Sequence, residues 1–130
     1  MLEQNKNVEK NARADPMDIT AAIPEGQPQI DAYGNGGFRI SRHRYEGSVC
    51  IQPSGVSLWN GRFDEVIFDD DTEILLFGFG HNRQHLPNTF IKTIIDRNIG
   101  HDIMDTGAAC RTYNVLASEG RRVAALLCHV

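Results

Sequence analysis

The amino-acid sequence predicts an α/β (α+β) protein with an antiparallel first half and a βαβαβ second half. Its 130 residues are 41% hydrophobic and 23% charged, which is the length and composition of one globular domain. Residues 29–63 form short runs in which polar and apolar residues alternate between glycines and prolines, as in antiparallel strands. From residue 72 onward, apolar runs without alternation are separated by helix patterns, which indicates parallel strands covered on both faces.

The first hairpin is predicted at residues 29–41. Apolar residues alternate with polar ones up to the turn sequence GNGG, whose residues tolerate the positive φ angles of tight turns. Residues 43–53 and 55–63 continue with short β-rich runs, so the first half is antiparallel. We expect Trp59 to fill the core of this half.

The second half contains three predicted strands and two predicted helices. The strands are residues 72–80, 102–105 and 122–130, and we expect all three to lie inside the sheet. Between the first two, the stretch LPNTFIKTIIDRN repeats apolar residues at helical spacing, and its proline fits a first helical position. These apolar residues are Phe90, Ile91, Ile94 and Ile95.

The second predicted helix spans residues 107–119. Thr106 is suited to cap its N-terminus, and Gly120 suits the left-handed position that ends a helix. Since βαβ units cross over right-handed and make neighbouring strands parallel, the loops after Phe77 and Asp105 should emerge at one end of the sheet.

Open α/β sheets bind their ligands at that end, so we place the candidate ligand or partner site there. Its candidate residues come from the two loops and the first turns of the second helix. They are Gly78, Gly80, His81, Asp105, Thr106, Arg111 and Asn114.

No catalytic residue, metal ion or cofactor is predicted for this site. The GFG turn at residues 78–80 lacks the third glycine of a dinucleotide-binding loop. His81 and His85 have the four-residue spacing of a metal-binding pair, but Pro87 starts the helix after them, which is typical of surface histidines in a loop. Cys110 has no histidine base in its turn, so we expect it to pack as a small apolar residue.

Arg111 and Asn114 allow two interpretations. They are three residues apart and therefore adjacent on the helix surface, near an N-terminus that attracts anions. In the structural interpretation, Arg111 pairs with a carboxylate such as Asp105, and Asn114 bonds to backbone and ties the helix to the sheet. In the functional interpretation, the two side chains bind an acidic ligand or a protein partner.

Charge and cysteine content restrict the partner and the compartment. A formal net charge of −4 disfavours nucleic-acid binding, and no apolar run approaches the roughly 18 residues of a membrane span. Three cysteines at long spacings indicate a reducing compartment. Residues 1–27 are polar and lack the apolar region of a secretory signal. We therefore expect a mobile tail before a globular domain at residues 28–130, soluble in the cytoplasm.

Several short motifs occur in the order found in one family of small domains. They are AYGNGGFRI, YEGSV, LLFGFG and, above all, a set of residues near the C-terminus: Thr106, Ala109, Cys110, Thr112, Tyr113, Asn114, Leu116, Glu119, Gly120 and Arg121. Residues 29–130 thus resemble a family of largely uncharacterised domains that includes the mitochondrial NADH dehydrogenase (complex I) assembly factor 3 and a cytosolic adipogenesis-associated Mth-type domain protein. The resemblance implies a three-layer β/β/α domain, with the antiparallel half packed on the βαβαβ unit. Phe79 stands at a position where the resemblance leads us to expect a small residue.

The resemblance brings no established catalytic residues, so we expect a protein that is not an enzyme. It implies a non-catalytic protein-binding module or assembly factor, with subunits of respiratory complex I as candidate partners. The alternative is a small-molecule (anion) binding protein or an enzyme that uses the cleft at the strand ends, with Arg111 holding the anion.

Overall fold

The computed structural model describes residues 27–80 and 85–130, which contain eight strands and two α-helices. The elements follow the predicted order, antiparallel strands first and βαβαβ second. They are β1 Ile30–Gly34, β2 Gly37–Ile40, β3 His43–Glu46, β4 Val49–Gln52, β5 Gly55–Leu58, β6 Ile74–Gly78, α1 Asn88–Asp96, β7 Gly100–Met104, α2 Thr106–Ser118 and β8 Val123–Leu127. A short 3₁₀ turn, Phe63–Glu65, lies between β5 and β6.

The strands form two sheets. A small antiparallel sheet has the order β1-β2-β3, and a central sheet has the order β5-β4-β8-β6-β7. β6 pairs in parallel with both β7 and β8, which confirms the mixed α/β class and the predicted parallel core. β4 pairs antiparallel with β8, so β4 and β5 extend the central sheet at its edge instead of lying on top of it.

Side-chain alternation along the buried strands divides the core into two clusters. Val123, Ala125 and Leu127 of β8 face α2 and the small sheet, whereas Ala124 and Leu126 face α1. All five are buried, as expected for a strand covered on both faces. The layers are therefore the small sheet with α2, then the central sheet, then α1.

The second inner strand was predicted wrongly. β7 lies at the edge of the central sheet, and its residues are exposed or partly buried. The physical reason is strand order, because β8 returns to the other side of β6 and leaves β7 with one neighbour. The Asp102 side chain accepts a hydrogen bond from the backbone N–H of Ile103 at 2.8 Å.

Each helix begins one residue away from its predicted start, α1 at Asn88 instead of Pro87 and α2 at Thr106 instead of Gly107. Pro87 precedes α1, and its carbonyl accepts hydrogen bonds from the N–H groups of Phe90 and Ile91. In α2 the cap is Asp105, whose carboxylate accepts from the N–H of Ala108 at 2.7 Å, so the prediction that Thr106 caps this helix was wrong. A carboxylate one residue earlier satisfies the free helix N–H and leaves the threonine hydroxyl available for other bonds.

The end of α2 confirms the sequence prediction. Gly120 has a φ of +81°, and its N–H bonds to the Ala117 carbonyl. The N–H of Arg121 bonds to the Leu116 carbonyl, which completes the pattern of a left-handed helix end.

Trp59 is buried, but not together with Phe38 and Ile40 in the core of the antiparallel half, which we expected it to fill. It lies on the α1 side of the central sheet, where its ring meets Phe63 edge-on at a centroid distance of 5.3 Å. Its indole N–H donates to the Arg62 carbonyl at 3.0 Å, so the polar atom is satisfied at the rim of the cluster. The antiparallel half is instead packed by Phe38 and Ile40, which are fully buried against α2 and the central sheet.

α2 also holds the start of the small sheet. Tyr113 is fully buried, and its hydroxyl donates to the carbonyl of Pro28 at 2.8 Å. The Asn114 amide donates to the Ile30 carbonyl at 2.8 Å and accepts from the Ile30 N–H at 3.1 Å. Two consecutive helix residues therefore fix β1 by three hydrogen bonds.

Replacing Tyr113 with phenylalanine should lower the free energy of unfolding by about 1–2 kcal/mol, because the buried Pro28 carbonyl loses its donor. Urea unfolding followed by circular dichroism measures the change. The matched control is Tyr45→Phe, since the Tyr45 hydroxyl makes no hydrogen bond to another described residue, and it should stay within about 0.5 kcal/mol of wild type. Equal losses in both variants would contradict the structural role of the Tyr113 hydroxyl.

Candidate functional site

The two predicted loops meet at one end of the central sheet, next to the end of β8. The N–H of Gly80 donates to Thr106 Oγ1 at 2.8 Å, and the same hydroxyl donates to the Cys128 carbonyl at 2.8 Å. The N–H of Phe79 bonds to the Met104 carbonyl at 3.1 Å. The three parallel strands therefore end together, joined through one threonine side chain.

The described residues at this end of the sheet are closely packed. A Cβ atom on Gly78 would lie 2.9 Å from Ala109 Cβ and 3.0 Å from Thr106 Cα, so only glycine allows α2 to approach β6 this closely. Thr106 is 1% exposed, and its hydroxyl is used both as donor and as acceptor. With the Asp105 carboxylate bonded to the Ala108 N–H, these residues hold the helix against the sheet.

Phe79 belongs to the opposite side of the same turn. Its side chain is buried, with ring centroids 5.8 Å from Phe77 and 6.3 Å from Phe63. The position at which the resemblance suggested a small residue thus contributes to the aromatic core on the α1 side of the sheet. Gly80 follows with a φ of +65°, which turns the chain away from the strand.

Arg111 and Asn114 line a separate groove of about 370 Å³ between α2 and β1. The Arg111 side chain is exposed and makes no hydrogen bond or ion pair with any residue in 27–80 or 85–130. The predicted ion pair with Asp105 was therefore wrong, because that carboxylate caps the helix. The other half of the structural interpretation was right, since Asn114 bonds to the backbone of β1.

Tyr33 also lines this groove and packs against Gly107 of α2, and both residues were missed in the sequence. The Tyr33 hydroxyl approaches Gly107 so closely that a side chain there would collide with it, and Arg111 Nη1 lies 3.3 Å from the same Cβ position. Tyrosine and arginine therefore converge over the first turn of α2. The available signal was a glycine inside a helix, which costs about 1 kcal/mol relative to alanine and commonly marks close approach of another group.

Cys110 also borders the groove, but its thiol is buried. Burial raises the pKa of the Cys110 thiol from 9.0 to about 12, opposed by the nearby Arg111 guanidinium and assisted by the Asp105 carboxylate. The thiol is therefore protonated at neutral pH and packs as an apolar group, as expected. Cys50 and Cys128 are likewise free thiols.

His81 lies outside the described residues, so its expected place in a surface loop stays a prediction. His85 is exposed. Within residues 27–80 and 85–130, no group of three histidine, cysteine, aspartate or glutamate side chains is arranged to hold a metal ion. No helix in those ranges has the length and apolar character needed to cross a membrane.

Thr106→Val should lower the free energy of unfolding by about 2–4 kcal/mol, because it leaves the Gly80 N–H and the Cys128 carbonyl without partners in a buried site. Thr106→Ser keeps the hydroxyl and removes one methyl group, so it should cost only about 1 kcal/mol. Urea unfolding of both variants measures the difference. Equal losses would show that the methyl group, and not the hydrogen bonds, stabilises this junction.

Two solved structures share the fold. A crystal structure described as an outer membrane protein from Bartonella henselae has a TM-score of 0.70 and 38% identity, covering 83% of this chain and 98% of that one. The solution structure of a Bordetella pertussis protein, described as a Mth938-like domain, has a TM-score of 0.66 and 25% identity, covering 92% of each chain.

Sequence relatives agree with the structural ones. An uncharacterized protein of Rhodobacter capsulatus is 36% identical over 106 residues, which are 78% of this chain and 85% of the relative. The human NADH dehydrogenase [ubiquinone] 1 alpha subcomplex assembly factor 3 is 31% identical over 108 residues, 75% of this chain, and the match spans 59% of the human protein. The model of the family described as "protein of unknown function (DUF498/DUF598)" matches residues 30–128. The resemblance of the sequence motifs is thereby confirmed, and the chain belongs to this family.

Proposed function

We propose that this chain is a non-catalytic protein-binding module that assists assembly of a multisubunit complex, with respiratory complex I as the candidate. The observation that carries the proposal is the 31% identity over 108 residues with the human NADH dehydrogenase assembly factor 3. Since the match spans 59% of that factor, its role is transferred here as a hypothesis about the shared domain.

The outer side of α2 is the proposed partner surface, which we call the α2 face. It comprises Tyr33, Arg111 and Val115, all of them exposed. Arg111 and Val115 are four residues apart on the helix and therefore adjacent on its surface. Tyrosine and arginine are enriched at the centres of protein interfaces, where a planar ring and a guanidinium supply contact area and directed hydrogen bonds.

Four of the other predicted site residues support this surface from behind. Gly78 and Thr106 fix the distance and position of α2, Asp105 caps it, and Asn114 locks β1 beside it. We therefore assign them positioning roles, in which they hold Tyr33 and Arg111 in place without contacting the partner. The proposal includes a cytoplasmic location, which the free thiols support because disulfides are rare in reducing compartments.

Affinity capture of the tagged full chain from its native host tests the assembly role. Arg111→Glu should reduce enrichment of the specific partner by about tenfold, because the charge reversal leaves the partner's acidic group facing a carboxylate. Arg39→Glu is the matched control, since the Arg39 side chain makes no hydrogen bond or ion pair with a described residue and the residue is also exposed. Quantitative mass spectrometry against a tag-only sample gives the readout.

Two results of the capture would contradict the proposal. If the wild-type chain enriches no protein above the tag-only sample, the assembly role fails. If Arg111→Glu and Arg39→Glu retain the partner equally, the α2 face is not the contact surface.

Anion binding is a second candidate, because one observation favours it. Arg111 has no anionic partner among the described residues, yet its guanidinium lies beside a groove of about 370 Å³ next to the Tyr33 hydroxyl. An arginine with a neighbouring hydroxyl is suited to a carboxylate or phosphate group, which the guanidinium can bind by two parallel hydrogen bonds. A small anionic metabolite or an acidic side chain of a partner would use the same contacts.

Inorganic phosphate is the probe that separates the two sources. If the groove is a small-molecule site, phosphate should cause saturable NMR shifts at Tyr33 and residues 107–111, with a dissociation constant on the order of 1 mM. Arg111→Gln should abolish these shifts, and Arg39→Gln should leave them unchanged. Shifts that do not saturate, or that persist in Arg111→Gln, would eliminate anion binding and leave the protein-binding proposal intact.

A further inference from the structure

A second groove, on the opposite side of the central sheet, is formed by the segment 63–70 and α1. It encloses about 570 Å³, which is larger than the groove beside Arg111. Six of its eleven lining residues are apolar, and the other five are polar or charged. The apolar lining is Phe63, Val66, Ile67, Phe68, Pro87 and Phe90.

The floor of this groove is an ordered aromatic cluster. Phe90 lies 5.0 Å from Phe63, 5.8 Å from Phe68 and 5.9 Å from Phe77, measured between ring centroids. Phe68 and Phe90 are buried, whereas Phe63 is only partly covered. The groove is therefore a place where the hydrophobic core reaches the surface on rings that are already packed against one another.

Ile67 forms an apolar ridge beside the groove. Ile67 is 84% exposed, although its backbone is held by a hydrogen bond from Gln52 Nε2 to the Ile67 carbonyl at 3.0 Å. Ile67 also borders a smaller depression of about 390 Å³ that includes Leu58, which is 65% exposed. A single small molecule in the groove would leave this ridge in water, whereas a polypeptide lying across it would cover both sides.

The shape of the groove fits a helix. α1 and the two residues that flank it contribute Pro87, Phe90, Thr93 and Arg97, which are spaced by three or four residues and so lie along one side of the helix. The ten steps along the chain from Pro87 to Arg97 correspond to about 15 Å of helix length. A partner helix of two to three turns could pack alongside α1 over that length, with its apolar side chains between Ile67 and Phe90.

Charge at the rim selects the partner. Two carboxylates, Asp64 and Asp70, and one guanidinium, Arg97, line the groove. Arg97 is engaged with the backbone carbonyls of Asp69 and Asp70, and Asp64 pairs with Arg62 at 2.9 Å. The Asp70 carboxylate makes no hydrogen bond or ion pair with another described residue. The rim thus carries a negative charge at Asp70 that is not paired with another described side chain, beside an apolar surface and the positive charge of Arg97.

We propose that this groove binds an amphipathic helix of a partner protein that presents large apolar side chains flanked by lysine or arginine. The inference rests on the proposed protein-binding function and adds to it a second contact surface and the chemistry of the segment that fits it. The apolar side chains cover Ile67 and the exposed edge of Phe63, and a basic residue pairs with Asp70.

The test uses a synthetic peptide of about 14 residues with leucine and phenylalanine on one helical side and lysines on the other. Its twin carries glutamate in place of every lysine. Fluorescence anisotropy with the full chain measures affinity, and NMR shifts locate the contact. We expect the lysine peptide to bind at Ile67, Phe90 and Thr93, and the glutamate peptide to bind at least about tenfold more weakly because of the charge at Asp70.

Two matched variants decide whether the groove is responsible. Ile67→Lys should weaken binding of the lysine peptide by about tenfold or more. Ile95→Lys should leave the affinity unchanged, because Ile95 is 65% exposed on α1 but does not line the groove. Asp70→Asn should weaken binding and make it less dependent on salt. Circular dichroism verifies that each variant is folded.

The proposal is overturned if neither peptide binds, if both peptides bind equally, or if the two isoleucine variants behave alike. It is also overturned if the chain sediments as a dimer that Ile67→Lys dissociates, since a second copy would then occupy the groove. Failure of the groove proposal can be distinguished from failure of the assembly role. A partner captured from the host and retained by Ile67→Lys refutes the groove alone, and an empty capture refutes the assembly role while the peptide titration still decides the groove.

Discussion

The distance between α2 and the central sheet is the constraint on which the rest of the structure depends. Position 78 requires glycine, because the Cβ of Ala109 and the backbone of Thr106 occupy the space that a side chain would need. Only at this distance can the Thr106 hydroxyl reach both the Gly80 N–H and the Cys128 carbonyl. A helix held this closely in turn fixes Tyr113, whose hydroxyl anchors the chain just before the small sheet.

This packing changes what the strand ends can do. In open α/β sheets, the loops at the carboxyl ends of the strands usually leave a crevice, and helix N–H groups point into it. Here the Asp105 carboxylate takes one of those N–H groups, and Thr106 occupies the space between the loops. The glycines that suggest a phosphate-binding turn are instead required by helix packing at Gly78 and by a positive φ at Gly80. The binding surfaces that we propose therefore lie on the sides of the domain.

Local patterns in the sequence were sufficient for the element order, the parallel core, the end of α2 at Gly120 and the backbone contact of Asn114. They were insufficient wherever a distant residue decides the outcome. Asp105 and Thr106 are both good caps, and only the position of Cys128 explains why the threonine is used elsewhere. The aromatic groove depends on contacts between Phe63 and Phe90, which are far apart in the chain. Strand order, which puts β7 at the edge, is likewise absent from the apolar pattern of that strand.

The two sides of the central sheet are covered unequally, which leaves apolar side chains at the surface on one of them. On one side, the 13-residue helix α2 and the small sheet together cover the strands. On the other, α1 has 9 residues, and the segment 63–70 beside it leaves part of the aromatic core uncovered. At the β7 edge, the Asp102 side chain occupies the Ile103 N–H and hinders addition of a strand from another chain. In the proposed function, association with a partner uses tyrosine, arginine, isoleucine and phenylalanine side chains.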